Sequence, residues 1–297
     1  MRNVIVVGLL LSSVLLSPGF AQQEKVMAAA PQPSPGHGAL QFFLTALAKD
    51  DSPTVLQETG LSVLVDKTVA QVKGLRSAKD DPLLFAVLVD VSGSDAPTAN
   101  SIREAAFQLF QGLASAQNQG YLVFFNDRLA MSQIPLSVSQ AKQALDLAVF
   151  RGGTAVYDAI EQTCKQKLSR SGNPARPRRV IVLISDGRDN ASDATAIKAE
   201  QTALEEGVSV FSVVTKAPMG EDPKGERMLK DISQRTGGLA TDKDLKQAVP
   251  LSLGAIEAQW AVTVVPTQSA DRKIHSMQIK FAQKDVRVSA PRGLFLD

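Results

Sequence analysis

The sequence predicts an α/β fold, a Rossmann-like, doubly wound and mostly parallel sheet, joined to a small β-rich domain built from both flanks of the chain. Three observations predict it. Leu83 to Val89 is an unbroken apolar run, as a strand buried on both faces requires, and such strands belong to sheets covered by helices on both sides. From there to about Ala258, apolar runs alternate with stretches of helical periodicity, the pattern of parallel strands joined by right-handed crossovers. Outside that region, strand-like runs lie near both ends with no helical pattern between neighbours.

The bulk composition sets bounds on function. At 297 residues, with 44% hydrophobic and 21% charged residues, the chain can bury a large core as one large or two modest domains. A formal net charge of +2 gives no general electrostatic case for nucleic acid or an anionic membrane as partner. Arg176, Arg178 and Arg179 cluster, but beside Pro174 and Pro177 they read as a solvated loop. The single cysteine, Cys164, cannot form an intramolecular disulfide. It shares a helical stripe with Val156, Ala159, Ile160 and Leu168, which makes it core filler.

At the start, Arg2 precedes an apolar run from Val4 to Leu16, and Gly19 and Ala21 are the small residues of a cleavage site after Ala21. This predicts a secretory signal peptide over 1–21, shorter than the ~20 apolar residues of a spanning helix. The mature chain is expected to be secreted or periplasmic, with no membrane span. Residues 22–38, rich in Pro and Gly, read as a flexible leader. A β-rich flank over 39–81 follows: Phe42 to Leu47 fits strand or helix, and Leu61 to Val65 and Thr68 to Val72 are strands around Asp66-Lys67.

The central domain is expected over 82–258. After its first strand, Ile102, Ala105, Ala106, Leu109, Phe110 and Leu113 mark an amphipathic helix. Tyr121 to Phe125 is a strand, Arg128 to Ile134 its hairpin partner, and Ser139 to Ala148 a helix. Gly152-Gly153-Thr154 opens the helix that carries Cys164. Val180 to Ser185 is a second buried strand that runs into Asp186-Gly187. Ser192 is the expected cap of a helix reaching Glu206 and stopped by Gly207. Val208 to Val214 is a strand, Lys216 to Gly225 a loop, and Met228, Leu229 and Ile232 mark a helix ended by Gly237-Gly238. A last helix from Asp244 is interrupted or kinked near Pro250. The C-terminal flank, 259–297, holds strands at Trp260 to Val265, Ile274 to Phe281 and Val286 to Ser289. It is expected to pair with 39–81 as one small sandwich.

Three loops carry the chemistry: Asp90 to Ser94, Gly152 to Thr154, and Ser185 to Gly187. Open α/β sheets place ligands beyond the carboxyl ends of their strands, so all three emerge at one sheet edge. Carboxylate and hydroxyl oxygens suit a hard divalent cation, and Mg²⁺ typically keeps several waters. Two carboxylates about 5 Å apart repel by roughly 3 kcal/mol at an effective dielectric near 20, a cost that a cation between them removes. Gly93 is expected to let the backbone curl so that Ser92 and Ser94 both turn inward. Asp127, Asp158 and Asp189 read as solvated or supporting groups.

At these residues the sequence resembles the von Willebrand factor type A domain with its metal-ion-dependent adhesion site. Asp90-Val-Ser92-Gly-Ser94 matches the DxSxS motif, Thr154 the second-loop threonine and Asp186 the third-loop aspartate. The resemblance implies that Ser92, Ser94 and Thr154 ligate a divalent cation, Mg²⁺ first with Mn²⁺ or Ca²⁺ as alternatives. Asp90 and Asp186 would act directly or through water, and an open position would take an acidic side chain of a protein partner. The flanks resemble the secreted bacterial von Willebrand factor A-related proteins, whose tail commonly ends Arg-Gly-Tyr where Arg292-Gly293-Leu294 stands here. Asp95 departs from the pattern, which often has an uncharged residue there. The expected function is an exported, non-enzymatic binding module. The alternatives are Mg²⁺-dependent phosphoryl transfer with Asp90 as nucleophile, disfavoured because Ser92 stands where an acid is needed, and a scaffold with a vestigial site.

Overall fold

The computed structural model describes residues 38–170, 177–216 and 223–296. The expected signal peptide, nearly all of the leader, Pro174, Arg176 and most of the loop after Lys216 lie outside them. Among the described residues no helix is long and apolar enough to cross a membrane.

The N-terminal flank forms β1 (Leu40–Ala48), β2 (Ser62–Val65) and β3 (Thr68–Ser77). Phe42 to Leu47, ambiguous in sequence, is strand. Its alternation serves two cores: Phe42, Leu44 and Ala46 face the flank's own apolar cluster, whereas Leu47 joins the core of the α/β domain and the Thr45 hydroxyl donates to the Gly237 carbonyl. β2 and β3 form a hairpin with Asp66 and Lys67 at the turn, both at positive φ, as a two-residue type I′ connection requires.

The α/β domain follows: β4 (Leu83–Asp90), α1 (Ala99–Leu113), β5 (Gln119–Phe125), β6 (Leu129–Met131), α2 (Val138–Asp146), α3 (Val156–Gln166), β7 (Arg178–Ser185), α4 (Ala196–Glu206), β8 (Val208–Val214), α5 (Pro223–Arg235), β9 (Ala240–Thr241) and α6 (Leu245–Glu257). The sheet order is β6-β5-β4-β7-β8-β9. All neighbours are parallel except the β5–β6 hairpin. Every residue of β4, β7 and β8 is buried. One face, with Phe85, Val87 and Val89, packs on α1 and α6; the other, with Ala86 and Leu88, packs on α3, α4 and α5. The predicted stripe of α1 is its buried face. Cys164 is buried in the second cluster, where burial pushes its thiol well above the usual range.

Several expectations need correction. Thr195, not Ser192, caps α4 through its hydroxyl. α2 starts at Val138, with Ser137 and Gln140 forming a capping box. α6 is one helix that continues through Pro250 rather than being interrupted there, and β9 was not expected at all. Arg178 and Arg179 are not a solvated loop: they open β7 and are 4% and 6% exposed. The Arg178 guanidinium donates to the carbonyls of Ile256 (2.8 Å) and Lys79 (3.2 Å) and to Gln259 Oε1 (3.3 Å). Burial lowers its pKa, and the carboxylates of Asp81, Glu257 and Asp80 work against that.

The C-terminal flank supplies β10 (Gln259–Val265), β11 (Lys273–Lys280), β12 (Val286–Ser289) and β13 (Gly293–Leu296). The two flanks do pair: their strands join one hydrogen-bonded sheet in the order β12-β1-β10-β3-β2-β11-β13, and Phe42 and Leu44 of β1 share one apolar cluster with Leu294 and Leu296 of β13. β13, absent from the sequence reading, buries Leu294 and Leu296, so Leu294 fills a packing position. This sheet attaches beside the starts of β4, β7 and β8, where the Gln259 side chain accepts from Arg178 and donates to Ser209.

His275 lies between two carboxylates: Nδ1 is 2.6 Å from Asp66 and Nε2 2.9 Å from Asp271. Hydrogen bonds to Asp271 and Asp66 hold the imidazole above its ordinary 6.5, and bonding to His275 holds both carboxyls below their ordinary 3.8. The histidine's contribution is full below about 6.5 and is lost as pH rises through its elevated folded value. The carboxylates contribute above about 3.8 and lose their share as pH falls through their depressed values. The clamp is therefore strongest between those limits. Urea midpoints are expected to fall from pH 6 to pH 8 in the wild type and to change less in His275→Ala; equal slopes would show that the clamp does not couple to folding.

Candidate metal centre

β4 and β7 run side by side in register, with Val89 opposite Ile184, so Asp90 and Ser185 leave the sheet together. The Ser185 hydroxyl donates to Asp90 Oδ2 at 2.6 Å, and the Ser92 amide donates to Asp90 Oδ1 at 2.9 Å. Asp90 is fully buried. Burial raises its carboxyl to about 6, the hydrogen bonds from Ser185 and Ser92 restrain the rise, and repulsion from Asp186 adds to it. The hydroxyls of Ser92 and Ser94 lie 3.1 Å apart, so both turn to the same side of the loop.

The second loop is stitched to the first. The Gly93 amide donates to the Gly152 carbonyl and the Arg151 amide to the Val91 carbonyl. Arg103 of α1 steadies the approach to this loop, donating to the Ala148 carbonyl and lying over the Phe150 ring. Gly93 itself is not the hinge expected from sequence. Its φ is not positive, and a side-chain carbon there would meet only ordinary contacts. The site glycines at positive φ are Gly152, at +85°, and Gly187, at +79° and backed against the Gly225 backbone at about 2.6 Å from where a Cβ would stand.

Thr154 is 2% exposed and joins the second loop to the third. Its amide donates to Asn190 Oδ1, and its carbonyl accepts from the amides of Asn190 and Ala191. Asp189 and Ser192 extend the seam: the Ser192 hydroxyl donates to Asp189 Oδ2 and accepts from the amides of Tyr157 and Asp158 at the start of α3. Asp158 accepts from the amides of Asp193 and Ala194. Asp158 and Asp189 are thus loop fasteners. Asp186 Oδ1 accepts the Arg188 amide, while its Oδ2 is buried with no hydrogen-bond partner; Arg188 Nε stands 3.9 Å away.

Asp95 is the residue whose environment sequence reasoning missed. It is fully buried, accepts the Thr215 hydroxyl on Oδ1 at 3.1 Å, and leaves Oδ2 buried without a hydrogen-bond partner. Burial raises its carboxyl to about 8, reinforced by repulsion from Asp90 and then Asp186. Its one visible signal was the departure from the motif.

All three loops are therefore linked to one another at the carboxyl ends of β4 and β7. Among the described residues, no three His, Cys, Asp or Glu side chains form a metal-holding group by themselves, so an ion here depends on hydroxyl oxygens. The oxygens available, two serine hydroxyls and carboxylates crowded enough to repel, have the hard-donor character that Mg²⁺ or a similar ion takes. Two of the carboxylate oxygens have no donor to satisfy them, and a buried acceptor left this way is costly.

Comparison with known proteins follows this geometry. Among solved structures, proximal thread matrix protein 1 from the mussel byssus, with a zinc-occupied MIDAS motif, aligns with TM-score 0.51 and 16% identity over 63% of this chain and 48% of that one. A von Willebrand factor type A protein from Catenulispora acidiphila aligns with TM-score 0.48 and 12% identity over 88% and 72%. An aerotolerance-related membrane protein from Bacteroides fragilis aligns with TM-score 0.45 and 16% identity over 59% and 98%. No curated protein sequence matches the chain. The sequence model of the von Willebrand factor type A domain matches residues 85–250, more than half of the chain. With its parallel sheet, its helices on both faces and its linked loops at one sheet edge, the chain belongs to the von Willebrand factor type A domain family.

Proposed function

We propose that the protein is an exported, non-enzymatic binding module that engages a protein partner through a divalent cation. Asp90, Ser92, Ser94, Thr154 and Asp186 would hold the ion, Mg²⁺ first among the candidates with Mn²⁺ or Ca²⁺ as alternatives, and an acidic side chain of the partner would complete its coordination. The observation that carries this reading is the buried Asp186 Oδ2 at the joined loops, which accepts no hydrogen bond and has Arg188 Nε only at 3.9 Å, on the same edge as the paired Ser92 and Ser94 hydroxyls. The zinc-occupied MIDAS of the mussel protein supports the same chemistry. In this reading the binding domain is 82–258, and the flanks 39–81 and 259–297 form its support.

Two measurements test it. Mg²⁺ at 100 times its dissociation constant should stabilise the protein by about 2.7 kcal/mol, a rise of roughly 5 to 10 °C in Tm for a chain of this size. Capture of an envelope protein by the immobilised chain should be present with Mg²⁺ and lost in chelator. A Tm that ignores Mg²⁺, Mn²⁺ and Ca²⁺ alike would remove the reading.

A further inference from the structure

The buried carboxylate of Asp95 has no role in the five-residue site. Its loop runs on from Ser94 into a single turn of 3-10 helix, Ala96–Thr98, and Thr215 holds its Oδ1 from the end of β8. The Thr215 amide in turn donates to the Ser185 carbonyl, so Asp95 is fixed to the same strand ends that deliver Asp90 and Asp186. Asp95 is fully buried, and Oδ2 has no donor. Thr215 draws Asp95 toward the end of β8, away from the Ser92 and Ser94 hydroxyls that face each other across the first loop. A cation that keeps part of its water shell offers what Oδ2 lacks, a polarised water O–H.

We infer that Asp95 is a positioning residue of the metal centre: its Oδ2 accepts a hydrogen bond from a water carried by the cation, and its charge retains the ion when no partner is bound. The inference rests on the metal-binding reading above. Outer groups that orient a metal's ligands typically account for 10- to 100-fold in affinity. Asparagine at 95 can still accept from Thr215 but turns an N–H₂ toward the water, which is the wrong polarity.

The test is calorimetric titration of the full mature chain with MgCl₂ and MnCl₂ alone, for wild type, Asp95→Asn, Asp95→Ser and Asp90→Asn, beside Tm in chelator and in Mg²⁺. The expected result is metal binding weakened about tenfold or more in both Asp95 variants, with a smaller Mg²⁺-induced rise in Tm and a Tm in chelator no lower than wild type. Wild-type affinity in Asp95→Asn and Asp95→Ser, with Asp90→Asn inactive, would overturn the role of Asp95 alone. A wild type that binds neither ion would overturn this inference together with the reading beneath it. A purely structural role predicts the opposite pattern, a lower Tm in chelator with undiminished metal affinity, and that result too would overturn the proposal.

Discussion

In Asp90→Asn, the stabilisation by Mg²⁺ is expected to vanish while the protein stays folded. Asp90 sits where the first and third loops meet, with one carboxylate oxygen bound to the Ser185 hydroxyl and the other to the Ser92 amide. The amide keeps an oxygen for one of these donors, and Ser185 can rotate to accept from the new N–H₂. What disappears is a buried negative charge, whose desolvation already raises its pKa in the absence of an ion. The Tm in chelator should therefore stay within a few degrees of wild type, and the whole of the roughly 2.7 kcal/mol available at a hundredfold excess of metal should be lost. Thermal scans with and without Mg²⁺ measure both numbers. A variant that still gains stability from Mg²⁺, or that no longer unfolds cooperatively in chelator, would contradict the assignment of Asp90.

The second large effect lies at the other end of the parallel strands. Arg178→Ala is expected to cost about 3 kcal/mol of stability, with no change in metal affinity. One guanidinium serves the Ile256 carbonyl at the end of α6, the Lys79 carbonyl ahead of β4 and the Gln259 side chain at the start of β10. Truncation leaves buried acceptors without donors and opens a void, and hydrogen bonds to charged groups are among the stronger ones. Arg178→Lys should recover little, because an ammonium is a point charge on a flexible stem and cannot reproduce the planar fork. Urea unfolding of the two variants gives the comparison. A loss under 1 kcal/mol in Arg178→Ala would mean that other links, such as Thr45 to the Gly237 carbonyl and Gln259 to Ser209, hold the two sheets together.

Arg178 also shows where sequence reading stops. The core strands were legible because burial on both faces writes itself into every residue of Leu83 to Val89 and Val180 to Ile184. The α1 stripe was legible because its period is local. Arg178 and Arg179 stand beside a proline and look solvated. The partners of Arg178 are backbone carbonyls from 78 and 99 residues away, and a carbonyl has no sequence signature. β9, at two residues, is too short for a period to register, and β13, Gly293-Leu294-Phe295-Leu296, has no polar residue to set up an alternation. The three loops that carry the five expected site residues were legible from residue type at the strand ends, and the structure links those loops. Asp95 could be noticed but not placed, since its burial depends on Thr215 from a strand 120 residues later. Ser192 was seen as a helix cap because hydroxyls before helices commonly are; Thr195 takes that role, and Ser192 instead fastens the start of α3.

β1 precedes the α/β domain and lies between β10 and β12, so both of its neighbours are synthesised only after that domain. Until Gln259 and the residues beyond it have emerged, Phe42, Leu44 and Ala46 have no hydrogen-bonded strand on either side, and an apolar strand with open edges invites pairing with another chain. The three linked loops at the ends of β4 and β7 lie wholly inside the interval that β1 and β10 enclose. A chain interrupted before β10 therefore carries β1 as an apolar strand with two open edges, and that strand is where such a fragment is expected to join another copy.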